Sequence, residues 1–276
     1  MKEKVLAKVL SHNMLCEGIY DLWLETSLAS QAHAGQFVGV YTQDKSRLLP
    51  RPISICEVSD DFNAIRLVYR VSGEGTGLIS QYEEGDEVAI LGILGNGYIF
   101  TDIIPSLKGL DDTDVTTKEN PTIVLLGGGI GVPPMLELAK ELTAHGFKPT
   151  VIAGYRDSNM FLAEDFKKYS DFYVATEDGS FGTKGNVMDA INELGTKPDI
   201  IMACGPMPML RAIKRYTESK DGKVKAYISL EERMACGVGA CLGCVVKTKK
   251  IDAHSHVNNA RICTDGPVFD ADDVEI

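Results

Sequence analysis

No apolar run in this sequence approaches the roughly 18 residues that a helix needs to cross a bilayer, which excludes a helical membrane span. An excess of basic residues is also missing. Lys and Arg number 28 against 39 Asp and Glu, a net charge of −11, and neutralising nucleic-acid phosphates needs a basic face that this chain does not offer. The N-terminus, Met1-Lys-Glu-Lys-Val-Leu-Ala-Lys8, alternates polar and apolar residues and lacks the apolar core of a secretory leader, so a cytoplasmic location is expected. A paired disulfide framework is missing too, because the seven cysteines are an odd number in a chain read as cytoplasmic. Only one Trp, Trp23, is present, and it reads as packing. What remains is 276 residues of ordinary globular composition, long enough for two domains or slightly more.

Four of the cysteines are not scattered. Cys236, Cys241, Cys244 and Cys263 read C-x4-C-x2-C with a distant fourth member, the plant-type spacing for a [2Fe–2S] cluster held by four thiolates. Gly237, Gly239 and Gly243 between them allow the tight backbone such a loop requires. Structural zinc is the competing reading, although zinc sites favour two short Cys knuckles and here the second half holds one Cys. Free thiols are the third. Cys16 and Cys56 read as packing thiols, and His254 and His256 as residues of a solvated loop.

Periodicity divides the chain into three. Residues 1–104 carry short alternating runs such as Ala64–Val71 and Asp86–Leu91, broken by Gly, Pro and Asp, the pattern of an antiparallel barrel. Residues 105–220 open on an acidic, polar stretch at 106–120 that reads as a surface loop. Buried-strand runs at Thr122–Leu126, Thr150–Gly154, Phe172–Ala175 and Asp199–Ala203 follow, with helical stretches between some of them, as in a parallel α/β sheet. Residues 221–276 bear the cysteines and are too few to bury much core alone. The expected fold class is therefore α+β and multi-domain.

Each segment has a motif. Arg51-Pro52-Ile53-Ser54 offers a guanidinium fork for phosphate beside a hydroxyl. Val68-Tyr69-Arg70 and the turn containing Gly75 and Thr76 add an aromatic, a second Arg and an anion-binding turn. Gly127, Gly128, Gly129 and Gly131 follow a strand and precede Pro133 and a helix, so backbone and helix N-terminus can approach a pyrophosphate. Val132 stands where the third Gly of the full dinucleotide fingerprint would fall. Cys204-Gly205-Pro206 ends a strand, where ligands of open α/β sheets bind, and places a small thiol in reach of a nicotinamide. Arg156-Asp157 follows another strand. Arg suits a 2′-phosphate and Asp a free 2′-hydroxyl, with NAD preferred. Glu177–Ser180 reads as a turn.

In this order the motifs, together with Gly95-Asn96-Gly97, resemble the ferredoxin reductase superfamily over nearly the whole chain. Within it they resemble the electron-transfer subunits of class B dihydroorotate dehydrogenases. The resemblance implies FAD on the barrel at Arg51–Ser54, Val68–Arg70 and Gly75–Thr76, NAD on the α/β domain, and [2Fe–2S] on the four cysteines. It implies a separate FMN-bearing catalytic subunit, two copies of each forming a heterotetramer, in pyrimidine biosynthesis. No general base for dihydroorotate oxidation is evident in the chain itself. The acidic insertion and the 18 residues at 245–262 between Cys244 and Cys263 depart from the family pattern. Two other readings stand beside this one: a related reductase subunit serving ferredoxin, sulfide or glutamate synthase chemistry, and a non-enzymatic redox sensor or zinc-binding module.

Overall fold

The alternating N-terminal segments become the six strands β1 (Glu3–Cys16), β2 (Ile19–Glu25), β3 (Phe37–Val40), β4 (Arg51–Val58), β5 (Ala64–Arg70) and β6 (Glu87–Leu94). In the computed structural model, which describes residues 2–104, 120–251 and 256–276, they close into an antiparallel barrel in the order β1-β2-β5-β4-β3-β6. Alternation explains why: on β6, Val88 and Ile90 turn inward while their neighbours are more exposed. Leu22, Leu24, Val38, Ile55, Ile65 and Leu67 fill the same interior. A short helix α1 (Glu74–Ile79) plugs the chain between β5 and β6, and α2 (Phe100–Ile103) leads out of the barrel.

The second half forms a seven-stranded sheet in the order β10-β9-β8-β7-β11-β12-β15. Its strands are β7 (Ile123–Gly128), β8 (Thr150–Tyr155), β9 (Asp171–Thr176), β10 (Thr183–Lys184), β11 (Ile200–Cys204), β12 (Lys225–Ser229) and β15 (Val268–Asp270). All pair in parallel up to β12, and β15 joins its edge antiparallel. Every residue of β7 and β11 is buried, as expected of central strands covered on both faces. The cover comes from α3 (Pro134–Ala144), α4 (Ala163–Phe166), α5 (Val187–Leu194) and α6 (Met207–Glu218). Gly129–Gly131 form a single 3₁₀ turn between β7 and α3.

The structure departs from the sequence reading at its last division, 220/221. Strand β12 lies beyond that point yet is hydrogen-bonded along β11, from Ile200↔Lys225 to Cys204↔Ser229. The cause is the missing pattern: Lys225–Ser229 alternates, whereas the central strands β7 and β11 are continuous apolar runs. Among its described residues the cysteine-bearing segment adds the two-stranded ribbon β13 (Val245–Lys247) and β14 (Asn259–Arg261) between β12 and β15. It does not rely on a core of its own. Cys244, Ile262, Cys263 and Val274 pack with Phe37, Leu94 and Leu126 of the two larger units. The acidic stretch at 106–119 and His254 lie outside the described residues.

Barrel and sheet are tied by polar as well as apolar contacts. Arg66 of β5 is flanked by Asp21 at 2.8 Å, Glu57 at 3.0 Å and Asp165 of α4 at 3.1 Å. Its guanidinium lies 5.7 Å from the Trp23 ring centroid, so the lone Trp packs on the barrel's outer side. Val68, Cys56 and Ile19 of the barrel share one apolar cluster with Leu125, Met135 and Leu138.

Candidate functional site

Three neighbouring places collect the motifs. The first is a cavity of about 580 Å³ at the barrel mouth. It is lined by Arg51, Pro52, Ile53 and Ser54 of β4, by Val68, Tyr69 and Arg70 of β5, and by Thr76 of α1. Gly75 does not line it. Its role is to let Arg51 cross the start of α1: a Cβ at position 75 would lie 1.9 Å from Arg51 Nε. The guanidinium is held there by donation to the Leu49 carbonyl. The Thr76 hydroxyl accepts from the Ser72 and Gly73 N–H groups at 2.9 and 3.2 Å and so orders the turn. A fixed guanidinium beside a helix start, next to an apolar and aromatic wall, suits a phosphorylated planar ring system such as FAD.

The second is a cavity of about 520 Å³ at the carboxyl ends of β7, β8 and β11. Gly128, Gly129, Gly131, Gly205 and Pro206 line it, together with Arg156 and Glu177. Here too glycine is a matter of space. A Cβ at Gly131 would fall 2.3 Å from the Cys204 carbonyl oxygen, and one at Gly128 2.7 Å from Met209 Sδ. This is the close backbone packing that lets a dinucleotide reach a helix N-terminus. Asp157 does not line the cavity, because its carboxylate accepts from the Asn159 N–H at 2.8 Å within its own loop. Glu177 does line it, while Asp178 accepts from Ser180 N–H at 2.9 Å and makes the expected turn.

Gly127 and Cys204 sit one layer behind. Cys204 is fully buried, and its thiol donates towards Glu231 Oε1 at 3.9 Å. Burial pushes this thiol well above the ordinary cysteine range, which makes it a neutral group. Glu231 is the residue the sequence reading underused. Together with Arg70 and Ile130 it lines both cavities and thus marks their junction. Burial raises its carboxyl, against the pull of the Cys204 thiol and Arg70. The signal available in the sequence was its place just after a sheet strand and just before the first cysteine of the set.

The third place is the cysteine loop. Cys241 lies close enough to Cys236 to act on its thiol, and Cys263 feels both Cys244 and Cys236. Val238 and Ala240 N–H groups donate to Cys236 Sγ at 3.4 and 3.3 Å. Burial raises the Cys236 thiol, but these donors and those from Cys241 outweigh it and bring it down to about 6. Cys263 is pushed up to about 11 by burial and by the Cys244 thiol, with the Gly239 N–H opposing. Gly237 and Gly239 take φ of 66° and 82°, left-handed backbone that lets the loop wrap the sulfurs. Among the described residues no three His, Cys, Asp or Glu side chains form a ready single-ion site, and the four thiols share one neighbourhood. Two thiolates per iron, with backbone N–H groups aimed at sulfur, fit a two-iron cluster. Cys16 lies far from this set in sequence and is half-buried, Cys56 is buried in the core, and His256 is exposed. Among the described residues no helix is long and apolar enough to cross a membrane.

Comparison with known proteins follows the same lines. Residues 231–275 match the iron-sulfur cluster binding domain of dihydroorotate dehydrogenase B. A dihydroorotate dehydrogenase B (NAD(+)) electron transfer subunit from Fusobacterium nucleatum is 42% identical over 248 residues, covering 88% of this chain and 86% of its own. One from Geobacillus sp. is 38% identical over 277 residues and 99% of each chain. A solved NADH-dependent reduced ferredoxin-NADP oxidoreductase superposes with a TM-score of 0.81 at 25% identity, over 100% of this chain and 91% of that one. A ferredoxin NADP+ reductase from Neisseria gonorrhoeae shares the fold at a TM-score of 0.63 and 15% identity, over 78% of this chain and 91% of its own. With such identity along nearly all of its length, the chain belongs to the family of electron transfer subunits of dihydroorotate dehydrogenase B (NAD(+)) and is an oxidoreductase subunit with a ferredoxin reductase-like fold.

Proposed function

We propose that this chain connects a nicotinamide nucleotide to a partner's redox centre through three contiguous sites. FAD occupies the cavity at the barrel mouth, NAD the cavity at the sheet's carboxyl edge, and a [2Fe–2S] cluster the thiolates of Cys236, Cys241, Cys244 and Cys263. One observation carries the reading. The segment Ser229–Met234 walls the first cavity, with Glu231 also lining the second, and the same segment continues directly to Cys236. Nucleotide, flavin and cluster sites are therefore neighbours in the order that electron passage requires. When bound, these groups supply hydride and single-electron transfer.

The chain's own residues bind, orient and shield. Arg51 holds phosphate, the glycines at 128, 129 and 131 admit the dinucleotide backbone, and Arg70 and Glu231 frame the junction where the two rings meet. Cys204, neutral and buried, backs Glu231. The division into a flavin unit at 1–104, a nucleotide unit starting at 105 and a cluster unit towards the C-terminus describes these roles, with β12 assigned to the nucleotide sheet. The motifs of the chain all serve redox carriers, and substrate oxidation takes place on a partner catalytic subunit bearing FMN. Two copies of each subunit form the cytoplasmic complex. In the biosynthetic direction electrons from dihydroorotate pass through this chain to NAD+.

The test is a pair of steady-state assays. The isolated chain loaded with FAD and cluster is expected to reduce an artificial dye with NADH but not to oxidise dihydroorotate. Adding the FMN subunit should then restore NAD+-dependent dihydroorotate oxidation. Oxidation of dihydroorotate by this chain alone would overturn the reading.

A further inference from the structure

One wall residue of the flavin cavity is held from behind by a side chain that no motif contains. Tyr69 lines the cavity, yet it is only 3% exposed and belongs to the barrel's interior cluster. Its hydroxyl lies 2.9 Å from Nε2 of His12, a residue of β1 that is 57 positions away. His12 Nδ1 in turn lies 2.8 Å from the main-chain carbonyl of Tyr82. The polarity of this series follows from the groups themselves. A carbonyl oxygen can only accept, so Nδ1 carries the proton. In the neutral ring Nε2 is then an acceptor, and Tyr69 O–H must be the donor. Burial raises the Tyr69 hydroxyl, which keeps it in the donor form.

The ring positions are fixed as well. Tyr20, the direct cross-strand partner of Tyr69, stacks on it at 5.9 Å and 20°. His12 lies 5.4 Å from the Tyr20 ring and 6.0 Å from that of Tyr69. Tyr82 is anchored by its own hydroxyl, which donates to the Tyr41 carbonyl at 3.1 Å. Hydrogen bonds thus run from the connections outside β5 to the cavity wall, and every link is satisfied. Without His12 the Tyr69 hydroxyl would be an unpaired polar group inside the barrel, and the ring would have to tilt to find another partner.

We propose that His12 is a positioning residue for the flavin site: by accepting the Tyr69 hydroxyl it sets the orientation of the aromatic wall against which the flavin ring packs. The inference rests on the reading of this cavity as the FAD site. A purely structural His12 would affect thermal stability and leave the bound flavin's spectrum as it is. A positioning His12 changes that spectrum.

The experiment uses the full chain loaded with FAD, as wild type, His12→Ala, Tyr69→Phe and the double variant. The visible circular dichroism of the bound flavin and the FAD dissociation constant are read for each. The two single variants should alter the flavin dichroism in the same direction and weaken FAD about three- to tenfold, the effect of one hydrogen bond. The double variant should go no further than either. Wild-type dichroism and affinity in His12→Ala, or single effects that add, would overturn the inference. If His12→Ala fails to fold, Tyr69→Phe decides, because it keeps the ring and loses only the bond: an unchanged flavin spectrum there would overturn the inference equally. An Arg51→Ala protein that retains FAD as tightly as wild type would instead overturn the placement of the flavin itself.

Discussion

The Glu137 carboxylate on α3 accepts a hydrogen bond from the main-chain N–H of Val58, at the end of barrel strand β4, at 2.7 Å. One helical turn on, Glu141 accepts from the Ala34 N–H at 2.9 Å. Between them Lys140 donates to the Val58 carbonyl at 2.7 Å. A single helix of the nucleotide unit therefore serves backbone groups of the flavin unit that would otherwise be stranded at the interface.

Burial raises Glu137 to about 7, opposed by the Val58 N–H and Lys140. An acid whose folded pKa lies above its unfolded one holds more protons folded than unfolded between the two values. Its contribution to stability is thus complete at low pH and declines as pH rises through the folded pKa, by on the order of 3 kcal/mol in all. Glu137→Gln, which keeps the acceptor and loses the charge, is expected to flatten that decline. Thermal unfolding at about pH 5 and about pH 8 is the measurement. Equal pH slopes in both proteins would clear Glu137 of the effect.

Arg66 is paired with three carboxylates, and its side chain is only 10% exposed. Replacing it by Met takes the guanidinium from buried Asp21, while Glu57 keeps Lys140 at 4.0 Å and Asp165 keeps Lys168 at 2.9 Å. Denaturant titration should show a loss of about 3–5 kcal/mol, the scale for removing one partner from a buried ionic group. A loss below 1 kcal/mol, roughly the value of an exposed pair, would mean that the network is solvated in solution.

Cys236→Ser, Cys241→Ser, Cys244→Ser and Cys263→Ser should each abolish or sharply reduce bound iron and acid-labile sulfide, since each removes one of four thiolates. Cys16→Ser and Cys56→Ser should leave both at the wild-type level. Full iron content in Cys263→Ser would refute the ligand set.

Arg51→Ala should weaken FAD about ten- to a hundredfold, the scale of a charge-assisted bond to phosphate. Gly75→Val should do the same without touching Arg51, because the new side chain would occupy the space of the guanidinium. Flavin fluorescence titration reads both, and iron content should be unaffected. Tight FAD binding in Gly75→Val would show that the guanidinium does not need its present place.

Much of this site could be read from residue order alone, because the chemistry demands specific residues at short spacing. The four-cysteine pattern, the Arg51–Ser54 box and the glycines after β7 are local in sequence, and their physical reasons are local too. What escaped is what only the fold brings together. Glu231 gains meaning from lying between two cavities, and His12 from a tyrosine 57 positions away. Strand β12 escaped for a different reason: Lys225–Ser229 alternates polar and apolar residues, a pattern that does not read as a buried parallel strand. Cys204 ends β11 and is fully buried, and its depth was not legible because a strand pattern does not tell which side of the turn faces a ligand.

The chain leaves the sheet edge after Ser229 and comes back to it at Val268, and the two residues are paired. Beside them the Leu230 N–H donates to the Pro267 carbonyl at 2.9 Å. The exit and re-entry points of the cysteine-bearing excursion are therefore stitched together. In terms of connectivity the excursion is a cassette inserted at the tip of the β12–β15 hairpin, and a tight turn between those two strands would close the sheet without it. The reductase body thus has a socket for its outlet. An exchanged cassette would have to supply its own counterpart of Leu230–Met234, because those residues also wall the cavity at the barrel mouth.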